Sequence, residues 1–197
     1  MSPTDSLRRT FDEAAAVQAA FRADAGAMAA CDAFVQSALG TFRRGGTIFS
    51  CGNGGSMSDA MHFAEEWSGR FRGNRAALPA LAFSDPAAMT CIANDFGFDQ
   101  VFARQVEAHG KAGDVLVVLS TSGNSPNLIA ACETARARGL TVVGLLGRGG
   151  GKMKNLCDIA VVVPLATTSD RIQEVHIQVV HAVIEAAERD LFPDNYR

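Results

Sequence analysis

Beyond residue 46 the sequence alternates between short apolar runs and helical stretches, and this alternation constrains the fold more than any other feature. The runs are Thr47–Cys51, Ala80–Phe83, Val115–Leu119, Thr141–Leu146 and Ile159–Val163. Each is apolar almost throughout, rather than at every second residue. Strands covered on both faces have that pattern, and strands separated by helices pair in parallel through right-handed crossovers. The expected fold class is therefore α/β, a doubly wound five-stranded parallel sheet in three αβα layers of the flavodoxin-like kind.

Residues 1–45 read as a helical arm in front of a sheet-forming region at 46–197. Thr4 or Asp5 is the expected cap of a first helix, along which Phe11, Ala15, Val17 and Phe21 keep helical spacing. Met28, Cys31, Phe34, Val35 and Leu39 form a second stripe, with Gly26 expected at the break between the two helices. Gly45-Gly46 ends the second helix, because glycine tolerates the left-handed conformation at a helix C-terminus. A last long helix is expected from Arg171 to Asp190. No internal repeat or linker divides the chain, so the arm and the sheet region are expected to form one domain.

A length of 197 residues suits one domain with a real core. The net charge of −3 gives no electrostatic reason to expect a nucleic acid or an anionic membrane as partner. No run approaches the ~20 apolar residues that span a bilayer, and Met1–Thr10 is polar, unlike a secretory leader. The cysteines (Cys31, Cys51, Cys91, Cys132, Cys157) are odd in number, far apart and without a C-x-x-C. Free thiols in a reducing cytoplasm are expected, not a disulfide framework or a zinc ribbon.

Two strand-to-helix turns carry the chemistry of an anion cradle. Cys51-Gly52-Asn53-Gly54-Gly55-Ser56 follows the first run, and Ser120-Thr121-Ser122-Gly123-Asn124-Ser125 follows the third, with Pro126 at a first helical position. Both fall at carboxyl ends of parallel strands, where open α/β sheets bind ligands. Glycines admit a ligand close to the backbone, helix N-termini present unpaired N–H groups, and the hydroxyls add neutral donors. The same residues also make ordinary turns and caps. Neither G-x-x-x-x-G-K-[ST] nor G-x-G-x-x-G is present, so a phosphosugar suits these turns better than a nucleotide.

The helix after the first cradle, expected over Ser56–Ser68, carries His62 and Glu66 four residues apart and so on one face. An imidazole and a carboxylate so placed can share a divalent metal or work as a proton-transfer pair. The last helix carries Gln173, Glu174, His176 and His181. Gln173 and His181 are separated by roughly 12 Å of helix rise, so one chain converges both on one ion only with strain. A site completed across a subunit interface is the expectation that follows. His109 and His176 are expected to be structural or exposed. Asp95 and Asp170 are expected in loops, either orienting sugar hydroxyls or, for Asp170, capping the last helix.

Together these motifs resemble the sugar isomerase (SIS) domain family and, within it, the phosphoheptose isomerases. The matching stretches are C-G-N-G-G-S at 51–56, D-A-M-H-F-A-E-E at 59–66, N-D-F-G-F at 94–98, S-T-S-G-N-S at 120–125 and D-R-I-Q-E-V-H-I at 170–177. The resemblance covers nearly the whole chain. It implies interconversion of sedoheptulose 7-phosphate and D-glycero-D-manno-heptose 7-phosphate in the cytoplasm, toward a lipopolysaccharide precursor. It further implies Glu66 as base and His181 as acid, with one zinc ion per subunit on His62, Glu66, Gln173 and His181. Substrate contacts would come from Asn53, Gly54, Gly55, Ser56, Asn94, Asp95, Ser120, Thr121, Ser122, Ser125, Asp170 and Gln173. The implied assembly is a homotetramer with interfacial active sites. Two alternatives stay open at this point. One is a non-catalytic relative associated with the replication initiator, although such relatives lack the H-x-x-x-E pair and the final histidine. The other is an isomerase of a different phosphosugar.

Overall fold

The computed structural model describes residues 1–166 and 168–197. The arm is two helices, α1 (Pro3–Ala23) and α2 (Ala25–Arg43). Ser2 caps α1 rather than Thr4 or Asp5: its hydroxyl accepts from the Asp5 N–H, and the Asp5 carboxylate closes a capping box back onto Ser2. The break between the helices falls at Asp24, not Gly26. Its carboxylate accepts from the Ala27 N–H at 2.8 Å, and a side chain that satisfies an orphan donor makes a stronger boundary than a permissive glycine.

The sheet is built from β1 (Ile48–Gly52), β2 (Ala80–Ala82), β3 (Val115–Ser120), β4 (Thr141–Leu146) and β5 (Ile159–Val162), all parallel, in the order β2-β1-β3-β4-β5. The five-stranded doubly wound sheet expected from the sequence is the one observed. Burial on both faces holds for β1, β3 and most of β4, but not for β2, where Leu81 is 47 % exposed. β2 is an edge strand, so its period carries less information about burial.

Helices α3 (Gly55–Ser68) and α7 (Ser169–Leu191) join the arm on one face of the sheet. There Phe34, Phe63, Trp67, Val175, Val180 and Ile184 pack on Val115, Val117 and Leu119. Helices α4 (Pro86–Phe96), α5 (Ala103–His109) and α6 (Pro126–Ala137) take the other face, where Phe102, Val106, Leu128 and Cys132 cover Leu116, Val118 and Val142. β1 and β3 are adjacent, with Gly52 level with Leu119. Their following loops therefore leave the sheet side by side at its topological switch point. The described cysteines are all free, and no described helix is long and apolar enough to cross a membrane.

Candidate active site

The first cradle turns from β1 into α3 within a few residues. A side chain at position 52 would lie 2.5 Å from the Ser56 carbonyl, so glycine is required for that close approach. Ser56 itself is 3 % exposed. In the second cradle the hydroxyls shape their own loop. Ser120 Oγ accepts from the Gly123 N–H at 3.0 Å and Ser122 Oγ accepts from the Asn124 N–H at 3.2 Å. Asn124 accepts from the Lys152 N–H at 3.1 Å, tying the loop to the segment after β4. The two cradles are locked together by reciprocal amide bonds between Asn53 and Asn127, at 3.0 and 2.9 Å.

Between them lies a cavity of about 190 Å³ lined by Asn53, Ser56, Leu119, Ser120, Thr121, Ser122, Ser125, Leu128, Ser169 and Gln173. The N-termini of α3 and α6 end there, and the polar lining is hydroxyl and amide. This is the environment of an anion held by neutral donors and helix termini. Sequence reasoning missed Asn127 and Ser169. Asn127 is 2 % exposed and braces Asn53, while the Ser169 hydroxyl lies 3.1 Å from that of Thr121. Only pairing across distant elements could have found either. A larger cavity, about 460 Å³, lies away from this chemistry, between the α1–α2 junction and the segment around β5.

Further along α3 and α7, three side chains meet within one chain. His62 Nε2 is 3.1 Å from Glu66 Oε1 and 3.1 Å from His181 Nε2. The ligand atoms of the three residues all lie within 4.8 Å of one another. The carboxylate is mostly enclosed, the Glu66 side chain being 15 % exposed. Phe71 packs its ring 5.8 Å from that of His181. Asp59, one turn before His62, has one buried oxygen without a partner among the described residues. Burial raises its carboxyl pKa, against the pull of the neighbouring His62.

The Gln173 amide donates to Ser56 Oγ at 3.3 Å, at the cradle. Along α7, then, the Gln173 side chain bonds to Ser56 of the first cradle and the His181 ring meets His62. Asn94 and Asp95 lie in the last turns of α4, not in a loop, exposed and bonded to each other at 2.8 Å. Asp170 is in the first turn of α7, which begins at Ser169, with Thr168 in the cap position. The Thr168 hydroxyl chiefly holds its carboxyl below the usual range. His109 ends α5 exposed, whereas His176 is fully buried.

Two kinds of known protein share this architecture and sequence. A family model described as the SIS domain matches residues 11–147. The phosphoheptose isomerase of Fusobacterium nucleatum is 53 % identical over 161 residues, 82 % of each chain. That of Vibrio cholerae is 48 % identical over 187 residues, covering 95 % of this chain and 98 % of its own. Among solved structures, a phosphoheptose isomerase from Francisella tularensis superposes with a TM-score of 0.89 at 32 % identity over 96 % of this chain and 100 % of that one. One from Neisseria gonorrhoeae gives 0.86 at 38 %, over 95 % and 99 %.

Proposed function

This chain belongs to the phosphoheptose isomerases of the SIS-domain family, and from that premise we propose how its residues carry the reaction. The reaction is the interconversion of sedoheptulose 7-phosphate and D-glycero-D-manno-heptose 7-phosphate. The observation that carries the mechanism is the meeting of Glu66, His62 and His181 on the two helices that also border the hydroxyl-lined cavity. The phosphate binds in that cavity, on the N–H groups at the starts of α3 and α6 and the hydroxyls of Ser120, Thr121, Ser122 and Ser125. Gln173 and Asn53 complete the grip.

At the carbonyl end the problem is carbon acidity. The C–H beside a carbonyl is a weak acid, so the ene-diolate formed by its deprotonation must be stabilised. Glu66 takes the C1 proton and returns it to C2, and its enclosed carboxylate keeps that proton from exchanging freely with water. His181 carries the proton between O1 and O2. Two imidazole nitrogens and one carboxylate oxygen so close together are a donor set that zinc accepts, so the residues fit a divalent ion held by His62, Glu66 and His181. Such an ion would supply Lewis-acid stabilisation of the developing oxyanion. Coordination of Glu66 would also lower its basicity.

A homotetramer with sites at its interfaces completes the proposal. It is supported by α4, which buries no residue in the single chain, and by Phe96 and Phe98, which are 54 % and 57 % exposed beside Asn94 and Asp95. A partner chain covering α4 would bring those polar side chains to a neighbouring cleft. The free thiols support a cytoplasmic enzyme. The test is proton NMR of the purified protein with sedoheptulose 7-phosphate and, for comparison, ribulose 5-phosphate. The heptulose alone should convert, and Glu66→Gln should lower kcat by roughly 10²- to 10⁴-fold while phosphosugar binding persists. Near-normal turnover by that variant refutes the role given to Glu66.

A further inference from the structure

Arg75, in the segment after α3, forms with Glu188 of α7 an ion pair shut off from solvent. Arg75 Nε meets a Glu188 carboxylate oxygen, and both side chains are 0 % exposed. Burying two charges is costly unless further hydrogen bonds satisfy them, and here those bonds converge on the last turn of α3. Arg75 Nη2 donates to the Glu66 carbonyl at 2.6 Å and Nη1 to the Trp67 carbonyl at 2.8 Å. Longer bonds reach the carbonyls of Ala76 at 3.1 Å and Gly69 at 3.4 Å. The other Glu188 oxygen accepts from the Tyr196 hydroxyl at 2.8 Å, and the Phe192 ring lies 5.7 Å from the guanidinium.

The geometry has a consequence for the site. A helix C-terminus leaves its last carbonyls without partners, and one planar guanidinium takes two of them at once. One of the two belongs to Glu66, the residue whose side chain faces His62. Glu188 follows His181 by two turns and so lies on the same side of α7. The backbone of one cluster residue is therefore bonded to a group that is ionically pinned to the helix bearing another. α3 and α7 are thus linked by the Gln173–Ser56 bond, by the cluster and, through Arg75, by this pair.

We propose that Arg75, with Glu188 and Tyr196, is a positioning device that sets the register of α3 against α7 and so aims Glu66 at its proton. These residues touch no substrate; they act through the Glu66 backbone. The inference rests on the catalytic reading of Glu66 given above.

The test separates positioning from stability. An Arg75→Met/Glu188→Met variant removes both charges together, which for buried pairs is often neutral or stabilising, yet it leaves the Glu66 and Trp67 carbonyls without their guanidinium. Expected are a folded protein with KM for sedoheptulose 7-phosphate within about three-fold of wild type and kcat reduced about ten-fold or more. Arg75→Lys, which keeps the charge but not the fork, should lose kcat in the same sense and shift the ring ¹⁵N resonances of His62 and His181. Should the double variant fail to fold, Arg75→Lys, assayed well below its own melting midpoint, carries the decision. Wild-type kcat and unshifted histidine resonances in a folded Arg75 variant overturn the proposal. With Glu66→Gln as control, an inactive Glu66→Gln beside fully active Arg75 variants overturns the positioning device alone. Retained activity in Glu66→Gln overturns the catalytic reading and the device with it.

Discussion

Acid should unfold this protein through His176, a residue outside the site. The imidazole is 0 % exposed, and neither ring nitrogen makes a well-formed hydrogen bond among the described residues. Burial pushes its pKa down from 6.5 to about 4; the nearby Leu146 backbone pulls the other way without offsetting it. That backbone carbonyl also accepts from the Val163 N–H at 2.8 Å. In the unfolded chain the ring regains its ordinary pKa, so between those two values the unfolded state binds more protons. Stability is therefore intact above pH ~6.5 and is lost as pH falls toward 4. From the shift, the loss is about 1.4 kcal/mol near pH 5.5 and about 2.5 kcal/mol near pH 4.5. Against a typical domain stability of roughly 5–15 kcal/mol this is a large fraction. Asp59 works in the opposite sense, since burial raises its pKa, so the difference between variants and not the wild-type slope alone is diagnostic. The measurement is urea unfolding of wild type and His176→Leu at one fixed protein concentration, near pH 7.5, 5.5 and 4.5. The leucine variant should lose the acid-dependent part of the destabilisation. Equal pH slopes for the two proteins would refute a neutral, unsatisfied His176.

Further expectations concern the cradles and the cluster. A methyl group at position 55 would lie 2.8 Å from both amide atoms of Gln173, whose flexible end can swing away. Gly55→Ala should thus preserve melting temperature but raise KM about five-fold, the worth of roughly one hydrogen bond. Gly123 has φ +64°, and a side chain there would overlap the Gly150 carbonyl. Gly123→Ala should therefore destabilise by at least ~2 kcal/mol in chemical denaturation, since neither the backbone nor its neighbour can yield cheaply. Chelation should strip a divalent ion and depress turnover, with zinc restoring it. His62→Ala and His181→Ala should each reduce zinc bound per chain by equilibrium dialysis, and unchanged zinc binding in both contradicts the ligand set.

Strand positions were legible to within a residue because burial on both faces imprints a continuous apolar run, a property of consecutive residues. The same reasoning misjudged β2, since being at a sheet edge depends on strand order, which no local pattern encodes. Asp24 outcompeted Gly26 as the helix break because a capping bond depends on which side chain turns inward. Both cradles were readable from turn composition, and the His62–Glu66 pair from helical spacing. Asn127 and Ser169 were not readable, because each acts only by meeting a loop distant in sequence. Arg75 is the clearest case: in sequence it is one more arginine in a polar stretch, and only folding removes it from solvent.

By itself the sequence determined the layered α/β plan, the two hydroxyl-rich and glycine-rich turns, and the pairing of an imidazole with a carboxylate one helical turn apart. All of these follow from spacing and backbone preference within a few residues. Tertiary structure decided that His181 joins His62 from 119 positions away and that Gln173 reaches Ser56 in the first cradle. The physical reason is that parallel pairing and helix packing set the angle and register of α7 across α3, and these depend on the whole core rather than on any one segment.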